Sequence, residues 1–412
     1  MSILKKDFVY VDLFAGIGGF ALAMQKYSDN SECLFASEIN ASAALTYEQN
    51  FKHKPLGDIR QLNFNDLYQK NIDVVCAGFP CQTFSKGGKQ EGFNDSRGTL
   101  FREIIRLIET KQDIKKRPKI LILENVQNLI NHDSGNTWKT IYNEISNAGY
   151  NVIKKPIVAS PVDFKIPQLR KRAIILSVRK DIYNGPIDLE IRKVKQNALD
   201  ISKIIQDDLE IIDKVKYQLS KTQLETLNSW NDFIQIIPKN KRVIGFPIWV
   251  DEFGLNYDIS NLPIWKQLII KRNRTLYFEY KEKIDKWIEK WKVKDTLNKT
   301  MRKFEWQAGK DLDNLFQGII QFRPSGIRVK RPTEAPALVA MDHRPIYGPQ
   351  KRYFTAVECL RLQSFPDDFK YIGNEKELFK QLGNAVNVTV IYSIFKDFIE
   401  YINKMRKVNN NE

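Results

Sequence analysis

The sequence predicts an α/β protein in which a doubly wound, largely parallel sheet is joined to a second, smaller domain. Three observations carry this. Strand-like runs alternate with amphipathic stretches through residues 1–180, the rhythm breaks over 181–350, and helical periodicity returns over 351–412. Those ranges are the expected domains, the last returning to the first. A chain of 412 residues has room for both cores.

The strands are short runs rich in β-branched and aromatic residues: FVYVDLF (8–14), CLFASEI (33–39), IDVVCAGF (72–79), KILILENV (119–126), NVIKKPIVA (151–159) and RAIILSV (172–178). Continuous apolar centres such as ILIL suit strands buried on both faces. FALAMQKY and TLFREIIRLIET have the helical pattern expected of the crossovers. Residues 190–240 read as polar helix, and 245–262 as irregular chain around Pro247 and Gly254. Segment 266–303 carries 13 Lys and Arg against 5 Asp and Glu, with Trp287, Trp291 and four further aromatics in or beside it. Such a run is either a nucleic-acid contact or a solvated helix face. TAVECLRLQSF, EKELFKQLG and AVNVTVIYSIFKDFIEYIN read as the closing helices.

Composition narrows the class. Against 49 Asp and Glu stand 65 Lys and Arg, a net charge of +16, which suits phosphate-rich polymers or anionic surfaces. No apolar run approaches the roughly 20 residues of a membrane span, and MSILKKDFVYVDLF lacks signal-peptide architecture. Four scattered cysteines and three histidines form neither a disulfide scaffold nor a metal-ligand spacing. The expectation is a reduced, cytoplasmic protein with no metal and no membrane contact.

Chemistry is signalled at strand ends. FVYVDLF runs into AGIGGF, where Gly16, Gly18 and Gly19 permit a tight turn and close approach of backbone N–H groups to a ligand. Glu38 ends the next strand, 20 residues after Gly18, where a carboxylate binds ribose hydroxyls. Asp58 closes HKPLGDI, in reach of an adenine. VVCAGFPCQTFSKGG places Cys81 just past a buried strand, behind Pro80 and before a glycine-rich loop long enough for a lid. The other cysteines, Cys33, Cys76 and Cys359, read as small buried hydrophobes. Glu124 ends KILILENV at the same sheet edge, where burial raises a carboxyl group toward a usable acid. Arg170 and Arg172, two apart in PQLRKR, project to one side of an extended segment.

Together these segments resemble the DNA cytosine-5 methyltransferase family. DLFAGIGGF, GFPCQTFS, ENV, DFKIPQLRKR, RYFTAVECLRLQSFP and GNAV match its blocks in order, through residues 12–178 and 352–386. The resemblance implies a Rossmann-like methyltransferase sheet with S-adenosyl-L-methionine as cofactor, and a bacterial restriction-modification setting. It implies a cofactor pocket at Phe14, Gly16, Ile17, Gly18, Gly19, Glu38, Ile39, Asp58, Ile59, Pro80, Leu100, Asn384 and Val386. It makes Cys81 the nucleophile at cytosine carbon 6, Glu124 the group at nitrogen 3, and Arg170 and Arg172 the remaining catalytic residues, Arg172 anchoring the base. The base must leave the stack for this chemistry. Three departures stand out: Lys165 where the family often has glycine, Ser160-Pro161 for Asn-Ala, and Ile39 where some relatives carry an aromatic.

The stretch 181–350 is where this family carries target recognition. Within FRPSGIRVKRP, Arg323, Arg328, Lys330 and Arg331 stand without an acid on what reads as a rigid loop able to contact DNA, with Gln82 and Ser85 as further DNA contacts beside Cys81. The implied partner is double-stranded DNA and the implied state a monomer, with a cognate restriction endonuclease acting independently. A relative acting on transfer RNA is the alternative, though its Cys-Phe-Thr signature is only approached by Tyr353-Phe354-Thr355. A catalytically inactive DNA-binding relative is the other, against which Cys81, Glu124 and Arg172 stand intact.

Overall fold

The computed structural model describes residues 2–68, 70–80, 100–191, 199–341 and 344–409. The chain divides into two compact units: Met1–Ala198 with Ala337–Met341 and Cys359–Glu412, and Leu199–Pro336 with Asp342–Glu358. Among the described residues, no helix is long and apolar enough to cross a membrane.

In the first unit β1 (Val9–Leu13), β2 (Glu32–Ser37), β3 (Val74–Ala77) and β4 (Ile120–Val126) are all parallel, in the order β2-β1-β3-β4. The helices of this stretch are α1 (Gly19–Tyr27), α2 (Ala41–Phe51), the single turn α3 (Phe64–Leu67), α4 (Leu100–Glu109) and α5 (Asn136–Asn147). Every residue of Val74–Ala77 and of Ile120–Leu123 is at most 1% exposed. Both faces are covered, which is why these strands are continuous apolar runs. Strand order turns outward from between β1 and β3, so their carboxyl ends flank the switch point where such sheets open a crevice.

The far edge departs from the largely parallel expectation. β5 (Tyr150–Val152) and β6 (Ile157–Ala159) are two halves of the single strand expected at 151–159. After the two-residue β7 (Gln168–Leu169), β8 (Arg172–Arg179) runs antiparallel to β4, β5 and β6. The link from β6 to β8 holds only a 3₁₀ turn and β7 and no α-helix to carry a crossover, and the chain reverses. This reversal sets Arg172 opposite Val126 and Ile174 opposite Glu124, bringing the start of β8 to the end of β4. On that link Lys165 has φ +66, a left-handed conformation that glycine adopts without strain.

Among the described residues of 190–240 the polar-helix expectation holds for α6 (Lys221–Ile236) of the second unit, while Ile201–Tyr217 contains three short 3₁₀ turns. Leu209, Ile212 and Val215 are exposed, and a helix with no apolar face to bury is marginal. α7 (Ile264–Glu279), α8 (Lys281–Trp291) and α9 (Val293–Thr296) form the basic aromatic segment. Some of its aromatics serve the core: Tyr277 stacks on Phe253 at 5.6 Å, and Trp287 packs edge-on to Phe233 at 4.8 Å while donating to the Ser229 carbonyl, whereas Trp265 and Phe278 are exposed. Several of its lysines are spent in ion pairs, Lys281 with Asp285, Lys286 with Glu282 and Lys290 with Asp232. These features are those of an amphipathic helix pair with one solvated face.

The strands of this unit are β9 (Pro247–Trp249), β10 (Lys303–Gln307), β11 (Ile319–Arg323), β12 (Gly326–Lys330), β13 (Ala335–Pro336), β14 (Ile346–Tyr347) and β15 (Arg352–Tyr353). Six make a mixed sheet in the order β15-β14-β11-β12-β10-β9. Arg352 and Glu358 of the RYFTAVE block form a buried ion pair at 2.7 Å, and the Thr355 N–H also donates to Glu358. Their part in the motif is structural.

The closing helices are α10 (Ala356–Leu362), α11 (Glu375–Asn384) and α12 (Val388–Asn409). Within the first unit α12 packs on α1, with Phe395 edge-on to Tyr27 at 5.1 Å and Asn403 accepting from the Ile3 N–H.

Candidate active site

β1 delivers the chain to the sheet's carboxyl edge, and the loop there turns through left-handed conformations at Phe14 (φ +58), Gly16 (φ +56) and Gly18 (φ +90). The three glycines do different work. A Cβ at Gly18 would lie 2.1 Å from the Phe51 ring, and one at Gly19 would lie 2.8 Å from Val386. Both therefore serve close packing behind the loop. A Cβ at Gly16 would meet nothing within 4 Å among the described residues, so this glycine faces the cleft. Gly18→Ala is expected to destabilise the protein by about 2–4 kcal/mol through φ strain and overpacking. Gly16→Ala is expected to lose only about 1 kcal/mol. Melting temperatures check the order, and equal losses would refute this division of roles.

Glu38 follows β2 and its carboxylate anchors the loop. Oε2 accepts from the Gly16 N–H at 2.8 Å and Oε1 from the Asn40 N–H at 2.7 Å. Asn40 in turn caps α2, its side chain accepting from the Ala43 N–H. A carboxylate has acceptor capacity beyond two N–H groups, so Glu38 can still take hydroxyl donors. Glu38→Ala is expected to weaken nucleoside-cofactor binding at least tenfold, because hydrogen bonds to a charged group are the strong ones. Isothermal titration checks this, and an unchanged dissociation constant would remove the role.

Around this loop lies a cleft of about 550 Å³. Of the expected pocket residues, Phe14, Gly16, Glu38, Ile39, Asp58, Ile59, Pro80, Leu100 and Asn384 line it, together with Glu124, Arg170 and Arg172. Ile17, Gly18, Gly19 and Val386 are not in that lining; all four are buried. Ile39 is 69% exposed, an apolar surface available to a flat ring. Asp58 caps a short turn and is held by Arg60, whose Nε lies 3.0 Å from each carboxylate oxygen, an ion pair that lowers the Asp58 pKa. Asn40, Ser42, Arg60, Glu377 and Gln381 also line the cleft and were not read from the sequence. Ser42 donates to Glu377 at 2.8 Å and accepts from Gln381 at 3.1 Å, joining α2 to α11. Only Asn40 had a local signal, as a helix cap two residues after Glu38.

Glu124 and Arg172 meet at the end of β4, with Arg172 Nε 2.8 Å from Glu124 Oε1. Burial raises the Glu124 pKa, against the opposing pull of Arg172 and Arg170. Asn125 donates to the Phe79 carbonyl at 3.1 Å, tying β4 to the segment that enters Pro80. Arg170 is a different kind of residue from its neighbour. It is 3% exposed and its guanidinium donates to the carbonyls of Leu338, Gly383 and Ala385 at 2.8, 2.9 and 3.0 Å. Arg170, read from the sequence as catalytic, lines the cleft beside Glu124 and at the same time clamps the backbone either side of Asn384. Cys81, Gln82 and Ser85 lie outside the described residues. Burial pushes the Cys33 thiol up to about 12 and raises Cys76 well above the usual thiol range, so neither is a thiolate at neutral pH.

In the second unit FRPSGIRVKRP is not a loop. β11 and β12 form a hairpin whose register, Arg323 opposite Gly326, leaves Pro324 and Ser325 as its two-residue turn. Arg323 and Arg328 both bind Glu305 on β10, at 2.8 and 2.9 Å, and Arg331 binds Asp311 at 2.6 Å. Lys330 is half-buried, and burial lowers its pKa. The acid missing from residues 321–332 is supplied by a strand some twenty residues upstream.

The sequence profile of C-5 cytosine-specific DNA methylases matches residues 8–400. The type II methyltransferase M.AluI of Cellulosimicrobium cellulans is 31% identical, over 97% of this chain and 93% of its own length. M.BanI of Aneurinibacillus aneurinilyticus, also a type II methyltransferase, is 30% identical over 95% of each chain. Among solved structures, a putative DNA modification methyltransferase encoded within an Escherichia coli prophage is similar in fold, with TM-score 0.55 and 19% identity over 96% of this chain. The Dnmt2 methyltransferase of S. pombe is similar at TM-score 0.52 and 18% identity, again over 96% of this chain. With the blocks in order, the crevice at the switch point and a matching profile over nearly its full length, the chain belongs to the C-5 cytosine-specific DNA methylase family and is a DNA (cytosine-5)-methyltransferase.

Proposed function

We propose that this enzyme transfers a methyl group from S-adenosyl-L-methionine to carbon 5 of one cytosine in a defined sequence of double-stranded DNA. It acts as a monomer on a flipped-out base, through a covalent bond between Cys81 and carbon 6, and independently of any cognate restriction endonuclease. The observation that carries the reading is the raised, buried Glu124 beside Arg172, at the sheet edge where Phe79-Pro80 leads into Cys81.

The cleft residues fit the cofactor. Gly16 opens a space that a Cβ would fill, Ile39 presents apolar surface, and Glu38 retains acceptor capacity for hydroxyls. Phe14, Leu100 and Asn384 would complete its seat. When bound, the cofactor supplies an electrophilic methyl group.

The chain's own groups make cytosine a nucleophile. Thiolate attack at carbon 6 pushes charge toward nitrogen 3, and a protonated Glu124 donates to that nitrogen and stabilises the charge. Arg172 holds Glu124 in place and has further N–H donors for the base. Once carbon 5 has taken the methyl group, loss of its proton to solvent with departure of Cys81 as a thiolate restores the aromatic ring. Extrusion of the base costs a few kcal/mol, to be met by DNA contacts that include Gln82, Ser85, Arg323, Arg328, Lys330 and Arg331.

Type II relatives over nearly the full length support a sequence-specific DNA substrate. Bisulfite sequencing of DNA from cells expressing the protein tests the reading, with transfer RNA from the same cells in parallel. Conversion-resistant cytosines in one recurring DNA sequence are expected. Methylated transfer RNA with unmodified DNA would overturn it.

A further inference from the structure

The mixed sheet of the second unit has two unlike faces. Phe304, Trp306, Ile327 and Val329 point into the core and are at most 1% exposed. The alternation that buries them turns Glu305 and Gln307 of β10, Arg328 and Lys330 of β12, and Gln321 and Arg323 of β11 to the opposite face. Glu305 sits at the centre, paired in register with Arg328, which is in turn opposite Gln321.

Both oxygens of Glu305 are engaged. Oε2 accepts from Arg323 Nη2 at 2.8 Å and from Arg328 Nε and Nη2 at 3.1 and 2.9 Å, while Oε1 accepts from Gln307. The Arg323 and Arg328 side chains are 18% and 28% exposed. Two half-buried guanidiniums this close repel one another, and one carboxylate between them removes the repulsion and fixes both forks. Nη1 of each arginine makes no hydrogen bond among the described residues. A partly neutralised, immobilised arginine loses its advantage as a free cation for phosphate and keeps its directional donors. That is the requirement for bidentate recognition of O6 and N7 of guanine in the major groove.

We propose that Glu305 is the positioning residue of target recognition, holding Arg323 and Arg328 as fixed donors that read guanine in the sequence around the target cytosine. The proposal rests on the DNA-methyltransferase reading above and goes beyond it in naming the bases recognised. Without the carboxylate the arginines swing free, and discrimination is exchanged for salt-sensitive contact with phosphates.

The test uses the full chain, wild type and Glu305→Gln, on a randomised duplex library read by bisulfite sequencing, with DNA binding measured across salt concentrations. The wild type is expected to require guanine at one or more positions. Glu305→Gln is expected to lose about 5- to 150-fold of that discrimination and to steepen the log–log salt dependence by about 1 per arginine released to phosphate. Arg328→Lys keeps the charge and loses the fork; it is expected to relax the same guanine position with no change in salt slope, and it stands alone if Glu305→Gln does not fold. Wild-type indifference to guanine would overturn the proposal, as would an unaltered site profile in Glu305→Gln or in Arg328→Lys. Absence of any methylated cytosine with the wild type would instead sink the enzymatic reading.

Discussion

Cys81→Ala is expected to lower methyl transfer by about 10⁴-fold or more, the scale on which removal of a covalent nucleophile is felt, while cofactor and DNA binding survive. The chemistry leaves little substitute for it. Carbon 5 of cytosine attacks a methyl group only after a nucleophile has added at carbon 6, and water in the cleft is a far weaker nucleophile than a thiolate. A duplex with 5-fluorocytosine at the target position sharpens the experiment, because fluorine cannot leave carbon 5 as a proton does. The wild type is then expected to accumulate an adduct stable to denaturing electrophoresis, and Cys81→Ala to form none. Normal turnover by the variant, or an adduct formed without the thiol, would end the covalent mechanism.

Glu124 carries the second large effect. Glu124→Ala is expected to reduce methyl transfer by about 10²- to 10⁴-fold, the usual contribution of a positioned general acid. Glu124→Gln, which still donates a hydrogen bond to nitrogen 3, is expected to lose less. The sign of the pH dependence follows from the environment. Burial raises the Glu124 pKa, so the proton it donates is held further up the pH scale than on an exposed carboxyl group and is lost as pH rises through the raised value. Methyl transfer should therefore fall on the alkaline side, and Glu124→Gln, which does not titrate, should flatten that limb. A wild-type limb that persists unchanged in Glu124→Gln would assign it to another group. Arg172 is part of the same arrangement, since its 2.8 Å contact draws the Glu124 pKa back down.

Much of the fold was legible because burial on both faces writes itself as continuous apolar runs, and VVCA and ILIL are such runs. The direction of β8 was not, because antiparallel and parallel neighbours bury the same side chains. The same distinction runs through the site. Glycines 16, 18 and 19 read alike in the sequence, yet Phe51 and Val386, both distant along the chain, decide that two of them are packing residues. Arg170 and Arg172 were alike as a pair two residues apart and do line one cleft. Arg170, however, is taken up by carbonyls at 338, 383 and 385, partners no local pattern announces.

What the sequence alone determined is the chemistry on offer and its order along the chain: a glycine loop after one strand, an acid after the next, a thiol after the third and a carboxyl group near the end of the fourth. Those assignments are local, since each depends on a strand ending and a particular residue type at or just past that end. What only the tertiary structure decided is which of those groups face each other and in what electrical state. The reversal of β8 sets Arg172 against Glu124, and Glu305 partly neutralises a hairpin that looked uniformly basic. Pairing and burial are long-range properties of the packed chain, and a charge has its chemical meaning only once its neighbours and its distance from water are known.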